Sequence, residues 1–276
     1  SELLKEDVAE VVVYDNFARG EKSYLTEQLK DPRCSIFPIG GDIRDLDILD
    51  SAIKGKDYVI SLAAMWLLHC KDYPRTAFEV NIAGTFNVLE ACVRHKIKKL
   101  VWSSSASVYG DAVELPMTET HPFNNKNFYG ASKIAGEAMC TAFNDRYGLE
   151  VIGLRYMNVY GPGQDQTAAY TGVVPIMLNK IEANEAPTIN GDGSQAYDFI
   201  YVEDVAKVTE SLQQEVSAPA VVLDTMSIGL IGDKSTISQV IVYNNDTSLT
   251  IDPASYRIVV ENLAPILKID IDPSTP

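Results

Sequence analysis

The chain has 276 residues, 38 acidic against 23 basic for a formal net charge of −15, and 46% of its residues are hydrophobic. That apolar fraction excludes a disordered or collagen-like chain, and the length allows one large α/β domain or two smaller ones. The acidic balance, with only short basic clusters such as Lys96, Lys98 and Lys99, leaves no electrostatic footprint for nucleic acid or an anionic membrane and points to a small-molecule partner.

From the start to about residue 160, short β-branched runs alternate with stretches of helical length. Strands are predicted at 10–15, 35–39, 58–63, 100–104 and 151–155. Val11-Val12-Val13 and Leu100-Val101-Trp102 are apolar throughout, as expected of strands buried on both faces. Between them, 75–95 sets Phe78, Ile82, Phe86, Leu89 and Val93 at three- and four-residue steps, one apolar face of a helix. Strands alternating with helices imply an α/β fold, a doubly wound parallel sheet. Beyond residue 219 the pattern changes to short alternating runs at 220–224, 239–243, 248–252, 256–261 and 266–272. Turn signals such as Gly232-Asp233, Asn244-Asn245-Asp246 and Asp252-Pro253 separate them, so this tail reads as β-rich. The expected division is therefore 1–218 and 219–276, the second of unassigned role.

No apolar run reaches membrane-spanning length, and the N-terminus lacks signal-peptide blocks. Cys34, Cys70, Cys92 and Cys140 lie far apart without a C-x-x-C pair, which suggests neither a zinc knuckle nor a disulfide framework and fits a reducing cytoplasm. The Asn245-Asp246-Thr247 sequon then reads as chance. His69, His95 and His121 are isolated, so no metal site is expected, and neither a P-loop nor G-x-S-x-G occurs.

Tyr129-Gly-Ala-Ser-Lys133 places a phenol and an ammonium four residues apart on one face of a helix continuing through Ala135, Met139 and Phe143. A lysine there favours the phenolate, lowering the phenol pKa and making a general base. The run Ser103-Ser104-Ser105-Ala106-Ser107 ends a buried strand, where open α/β sheets hold ligands, although a serine run also caps a following element. Asp15-Asn16 ends the first strand, where a carboxylate can hold ribose hydroxyls or simply make a turn. Gly41-Asp42-Ile43-Arg44-Asp45 follows the next strand and Leu62-Ala63-Ala64 the one after. Asn81, of mediocre helix propensity, faces either the site or solvent. Gly191-Asp-Gly-Ser-Gln-Ala196 matches the literal dinucleotide string G-x-G-x-x-A but precedes a strand-like run at 198–202 instead of a helix, so it reads as a turn.

These motifs, with Asn81-Ile-Ala-Gly84-Thr85, Ser103-Ser-Ser-Ala-Ser-Val-Tyr-Gly110, Arg155-Tyr-Met-Asn158-Val-Tyr-Gly-Pro162 and Gly191 through Asp204, stand in one family's order. Residues 1 to about 208 resemble the extended short-chain dehydrogenases/reductases, in the NAD-dependent epimerase/dehydratase family, and among them UDP-glucose 4-epimerase-like nucleotide-sugar epimerases. The resemblance implies a Rossmann-like sheet, NAD as cofactor and a nucleotide sugar as substrate. It makes Tyr129 the base, Lys133 its electrostatic partner and ribose ligand, and Ser105 the hydroxyl that orients substrate. Asp15, Asn16, Asp42 and Ile43 would hold the adenosine half of NAD. Leu62, Ala63, Ala64 and Ser103 would line the cofactor, Tyr156 would pack near the nicotinamide, and Asn158 would contact the nucleotide sugar. Related dehydratases carry an Asp-Glu pair where this chain has Ala106-Ser107, so epimerisation is favoured over elimination. A homodimer through 75–95 and 129–146 is a further implication.

The chain also departs from the family. The family's first strand and glycine-rich loop would stand immediately before Ser1, and the helix-like 1–5 reads as the continuation of something upstream. Without that strand, its two neighbours either leave a gap or pair directly, and weak NAD binding and marginal stability are expected. Tyr197 stands where relatives commonly carry Arg toward the nucleotide phosphates, and the tail lacks the family's usual substrate lobe. The alternative reading is a non-catalytic epimerase-derived remnant with a binding or assembly role.

Overall fold

The β-branched runs form strands close to their predicted places. Val11–Val13 (β1) pairs in parallel with Cys34–Ile36 (β2), Val11 opposite Cys34. Tyr58–Ser61 (β3), Lys99–Ser105 (β4) and Glu150–Tyr156 (β5) form a second parallel sheet in the order β3-β4-β5. This computed structural model describes residues 1–164, 172–188 and 197–214, the last four by backbone alone, and the backbone of 243–244 and 247–248. The direct pairing considered for the neighbours of the family's first strand is not seen: β1 and β3 share no ladder. β1 is half-buried along its length, whereas six of the seven residues of β4 are buried.

Helices cross between the parallel strands, as the doubly wound reading requires. Leu46–Ile53 (α1) starts at Asp45, whose carboxylate accepts the Ile48 N–H at 3.4 Å, and buries Leu49, Ala52 and Ile53. Leu67–Asp72 (α2) and Pro74–Ala77 (α3) lead into a π-helical stretch, Phe78–Gly84, and then Thr85–Arg94 (α4). The wider turn rotates the buried face away from the predicted one. Leu89 is buried as expected, but Phe78 and Phe86 are 43% and 45% exposed, while Ala77, Asn81, Thr85, Val88 and Cys92 point inward.

Phe128–Tyr147 (α5) is capped by the Asn127 side chain, which accepts the Gly130 N–H at 2.8 Å, and ends at left-handed Gly148. It buries Ser132, Lys133, Gly136, Cys140 and Phe143; Ala135 and Met139 sit at its half-buried flank. Leu89, Leu100, Trp102, Cys140 and Phe143 belong to the main core. The four cysteines are all free and buried.

The described residues fall into two units. The first comprises Ser1–Tyr156 with Val202–Gln214 (α7) from Glu203 onward. In the second, Asn158–Tyr160 (β6) pairs in parallel with Phe199–Tyr201 (β7), and Val173–Glu182 forms α6. The glycine string at 191–196 lies outside the described residues, and the segment after it is the strand β7. In the tail, Tyr243–Asn244 (β8) and Thr247–Ser248 (β9) pair antiparallel across the predicted turn. The remaining predicted tail strands and the boundary at 218 lie outside the described residues. Among the described residues, no helix is long and apolar enough to cross a membrane, and no cluster of His, Cys, Asp or Glu could hold a metal ion.

Candidate active site

The end of β4 and the first turns of α5 bring three of the predicted residues together. β4 runs out at Ser105, whose Oγ accepts the Ser107 N–H at 3.1 Å and turns the chain into a 3₁₀ turn over Ala106–Val108. From α5, Lys133 reaches back to β4. Its ammonium donates to the Ser103 carbonyl at 2.7 Å, with the Ser103 hydroxyl at 3.5 Å. It lies 4.9 Å from the centroid of the Trp102 ring and 5.7 Å from that of Tyr129. Lys133 is 3% exposed, and burial pulls its ammonium down to about 8.

The Tyr129 phenol behaves otherwise than the spacing predicts. Burial pushes its pKa up, a hydrogen bond with the Ser105 hydroxyl pulls against that, and the neighbouring Cys70 adds to the rise. The ammonium is aimed at the Ser103 carbonyl and stands off from the ring, and desolvation is the largest influence on the phenol. A tyrosine–lysine spacing fixes proximity but carries no information on burial, which decides the sign here.

A buried amide ties this site to the end of β3. The Asn81 carboxamide accepts the Met65 N–H at 2.6 Å and donates to the Met65 carbonyl at 2.9 Å and to the Ser132 hydroxyl at 3.0 Å. Ser132 in turn donates to the Tyr129 carbonyl at 2.6 Å. Asn81, 2% exposed, thus faces inward. Leu62, 59% exposed, and the exposed Ala63 and Ala64 precede this anchored residue at the carboxyl end of β3. Sequence reasoning passed over Ser132, Cys70 and Trp102; the available signal was the run of small residues, Ser132 and Gly136, on the Lys133 face of a helix.

Asp15, Asn16, Asp42 and Ile43 also come together. The Asp15 and Asn16 side chains accept the N–H groups of Phe17 and Ala18 at 2.7 and 3.0 Å, fixing the exposed end of β1. Gly41 has φ +113°, and an added Cβ would stand 2.1 Å from the Asp15 carbonyl oxygen, so only glycine lets this loop lie there. Tyr14 donates to the Asp42 carbonyl at 2.9 Å, and the Arg44 guanidinium holds the Asp42 carboxyl below its usual range. Ile43 is buried against Gly84, and its carbonyl accepts from Asn87 at 3.0 Å. Tyr156, pushed up by burial, shares a hydrogen bond with Thr209 at 2.9 Å. Asn158 belongs to the second unit, where it donates to the Asp198 carbonyl at 2.8 Å. Tyr197, in the same unit, is 54% exposed.

The donor set fits a dinucleotide. An exposed carboxylate, the Asp42-Ile43 loop, small exposed residues and a serine run follow one another at the carboxyl ends of β1, β2, β3 and β4, the ligand edge of such sheets, and the tyrosine–lysine pair of α5 meets the last of them.

Comparison with known proteins gives the same picture. The chain is 38% identical over 208 residues to a Methanocaldococcus jannaschii protein provisionally assigned as a UDP-glucose 4-epimerase, covering 74% of this chain and 65% of the relative. A UDP-N-acetylglucosamine 4-epimerase from Methanobrevibacter ruminantium, solved in complex with UDP-N-acetylmuramic acid, superposes with a TM-score of 0.73 at 31% identity over 98% of this chain and 78% of that one. The Thermus thermophilus UDP-glucose 4-epimerase, solved with NAD, gives 0.70 at 31% identity over 83% of this chain and 74% of that one. The chain spans 62 to 65% of the length of three curated relatives it matches. The model of the NAD dependent epimerase/dehydratase family matches residues 1–222. By that match, over most of its length, the chain belongs to the NAD dependent epimerase/dehydratase family.

Proposed function

We propose that this protein is a nucleotide-sugar 4-epimerase acting on a UDP-hexose, with NAD as its cofactor. The observation that carries the reading is the convergence of Tyr129, Lys133 and Ser105 where β4 meets α5. Asp15 and Asn16 would hold the adenosine ribose, Asp42 and Ile43 the adenine side, Leu62, Ala63, Ala64 and Ser103 the ring portion, with Tyr156 near it and Asn158 toward the nucleotide sugar. When bound, NAD supplies a two-electron acceptor and a positively charged ring, which allow one sugar carbon to be oxidised and then reduced from its other face.

The chain's own residues handle the proton. Tyr129 takes the proton of the sugar 4-hydroxyl and later returns it. Ser105 already uses a lone pair on the Ser107 N–H, so its hydroxyl proton is free to be donated toward the phenolate or the sugar oxygen. Lys133 contributes a fixed positive charge that favours the phenolate over the phenol. Ala106 and Ser107 offer no carboxyl group for removing water from the sugar, which favours epimerisation over dehydration.

The test is inversion at C4 of UDP-glucose, UDP-galactose or their N-acetyl forms by the purified protein with added NAD. Turnover that falls by about 100-fold or more in Tyr129→Phe is expected. Absence of inversion with every sugar would sink the reading and favour the non-catalytic alternative. We further place the protein in the cytoplasm, a setting that suits four free, buried thiols, and propose a homodimer formed through α4 and α5. Phe86, 45% exposed, meets Phe143 edge-on at 5.4 Å, and Phe143 meets the exposed Tyr147 at 5.2 Å, an aromatic strip suited to a partner copy.

A further inference from the structure

Lys133 is held in a way that its proposed role does not explain. It is a buried ammonium, and among the described residues no carboxylate lies within ion-pair distance of it, although an unpaired buried charge ordinarily sheds its proton. The groups facing it are few. β4 presents the Ser103 carbonyl at 2.7 Å, the Ser103 hydroxyl at 3.5 Å and the face of Trp102 at 4.9 Å. α5 itself contributes the Tyr129 ring and the Cys140 thiol, and α2 the Cys70 thiol. Burial pushes Cys140 up to about 12 and raises Cys70 as well, so neither thiol is an anion at working pH.

The indole is seated for this contact. Gly136 lies one turn beyond Lys133, and a Cβ there would stand 2.3 Å from Trp102 Cζ2, so α5 has no side chain where the ring lies. Trp102 is 2% exposed, which leaves little room for solvent to take its place. The negative face of an aromatic ring attracts a cation without carrying a net charge. A carboxylate in the same position would keep the lysine protonated but cancel the field that Tyr129 needs.

We propose that Trp102 is a positioning residue that holds Lys133 as an ammonium beside Tyr129, its ring face replacing a counter-ion, and that it thereby sets the upper pH limit of the pair. The pH limit rests on the reading of Lys133 as the charge supporting Tyr129; the holding of the charge rests on the geometry alone. Burial, which pulls the ammonium toward about 8, is the force the ring opposes.

The test replaces tryptophan with mono-, di- and trifluorinated analogues during expression, which drains the ring face while leaving its shape nearly unchanged. Lysines carry a ¹³C label at Cε, the Lys133 signal is assigned by its loss in Lys133→Met, and the protein is titrated without cofactor. The Lys133 midpoint is expected to fall stepwise, by about one pH unit with three fluorines, while other lysines stay in place. Trp102→Phe, which keeps a weaker ring face, is expected to move it the same way by less. A midpoint unchanged or raised across the series overturns the proposal. Sugar inversion measured on the same samples separates the two readings. A moving midpoint without turnover rejects the epimerase and keeps Trp102 as the holder of the charge; turnover with a fixed midpoint rejects Trp102 alone.

Discussion

An ammonium carried into the interior weighs on the folded state, and Lys133 makes that weight measurable. Its midpoint falls from 10.5 to about 8 because burial penalises the charged form. Between those values the unfolded chain binds the extra proton, so stability rises with pH through that window, and below about 8 the full cost is present. Lys133→Met is therefore expected to be more stable than the parent at pH 7, by up to about 3 kcal/mol less the lost Ser103 hydrogen bond. The advantage shrinks toward pH 10.5. Urea unfolding at pH 7 and pH 10 measures it, and a methionine variant weaker than the parent at both would show that the ammonium is no burden. The pairing of Tyr129 with Lys133 was legible from a four-residue spacing. The cost of housing it was not, because it depends on Ser103, Trp102 and the exclusion of water, none of which a spacing encodes.

Helix α5 shows how a glycine that weakens a helix can be required by its packing. Gly136→Ala gains about 1 kcal/mol of helix propensity. The new methyl group would stand 2.3 Å from Trp102, a buried ring with no room to retreat, and such overpacking costs typically 1–3 kcal/mol. We expect the loss to win, with a net destabilisation of up to about 2 kcal/mol in chemical unfolding. Strands were legible wherever β-branched residues ran together, as at 11–13 and 100–102, because two-sided burial leaves an unbroken apolar run. The helix at 75–95 was legible as a helix but not in its facing. Its large residues suggested the core, whereas the π-helical turn at Phe78–Gly84 and the close packing of α5 select small and polar ones, Ala77, Asn81, Thr85 and Cys92. A period of 3.6 cannot anticipate an inserted wider turn.

At the scale of the whole molecule, the proposed contact between two copies rests on one aromatic strip. Phe86→Glu places a charge in the aromatic strip of α4 and α5 at a side chain that is 45% exposed, so a dimeric parent is expected to become monomeric in sedimentation, with a small loss of stability from the edge contact with buried Phe143. A parent already monomeric at high concentration would remove the dimer from the proposal.

The two parallel sheets of the first unit are not joined by a ladder, and this has a consequence for motion. β4 is braced by ladders on both sides and buried for six residues, whereas β1 and β2, among the described residues, pair only with each other and are mostly half-buried. Amides of the smaller pair can therefore open without unfolding β3-β4-β5. Deuterium uptake is expected to be faster at Val11–Val13 and Cys34–Ile36 than at Leu100–Trp102. The adenosine end of the proposed cofactor site would then be the part of the first unit that breathes, while Tyr129 and Lys133, on α5 and tied to β4 through the Ser103 carbonyl, would stay with the more persistent sheet.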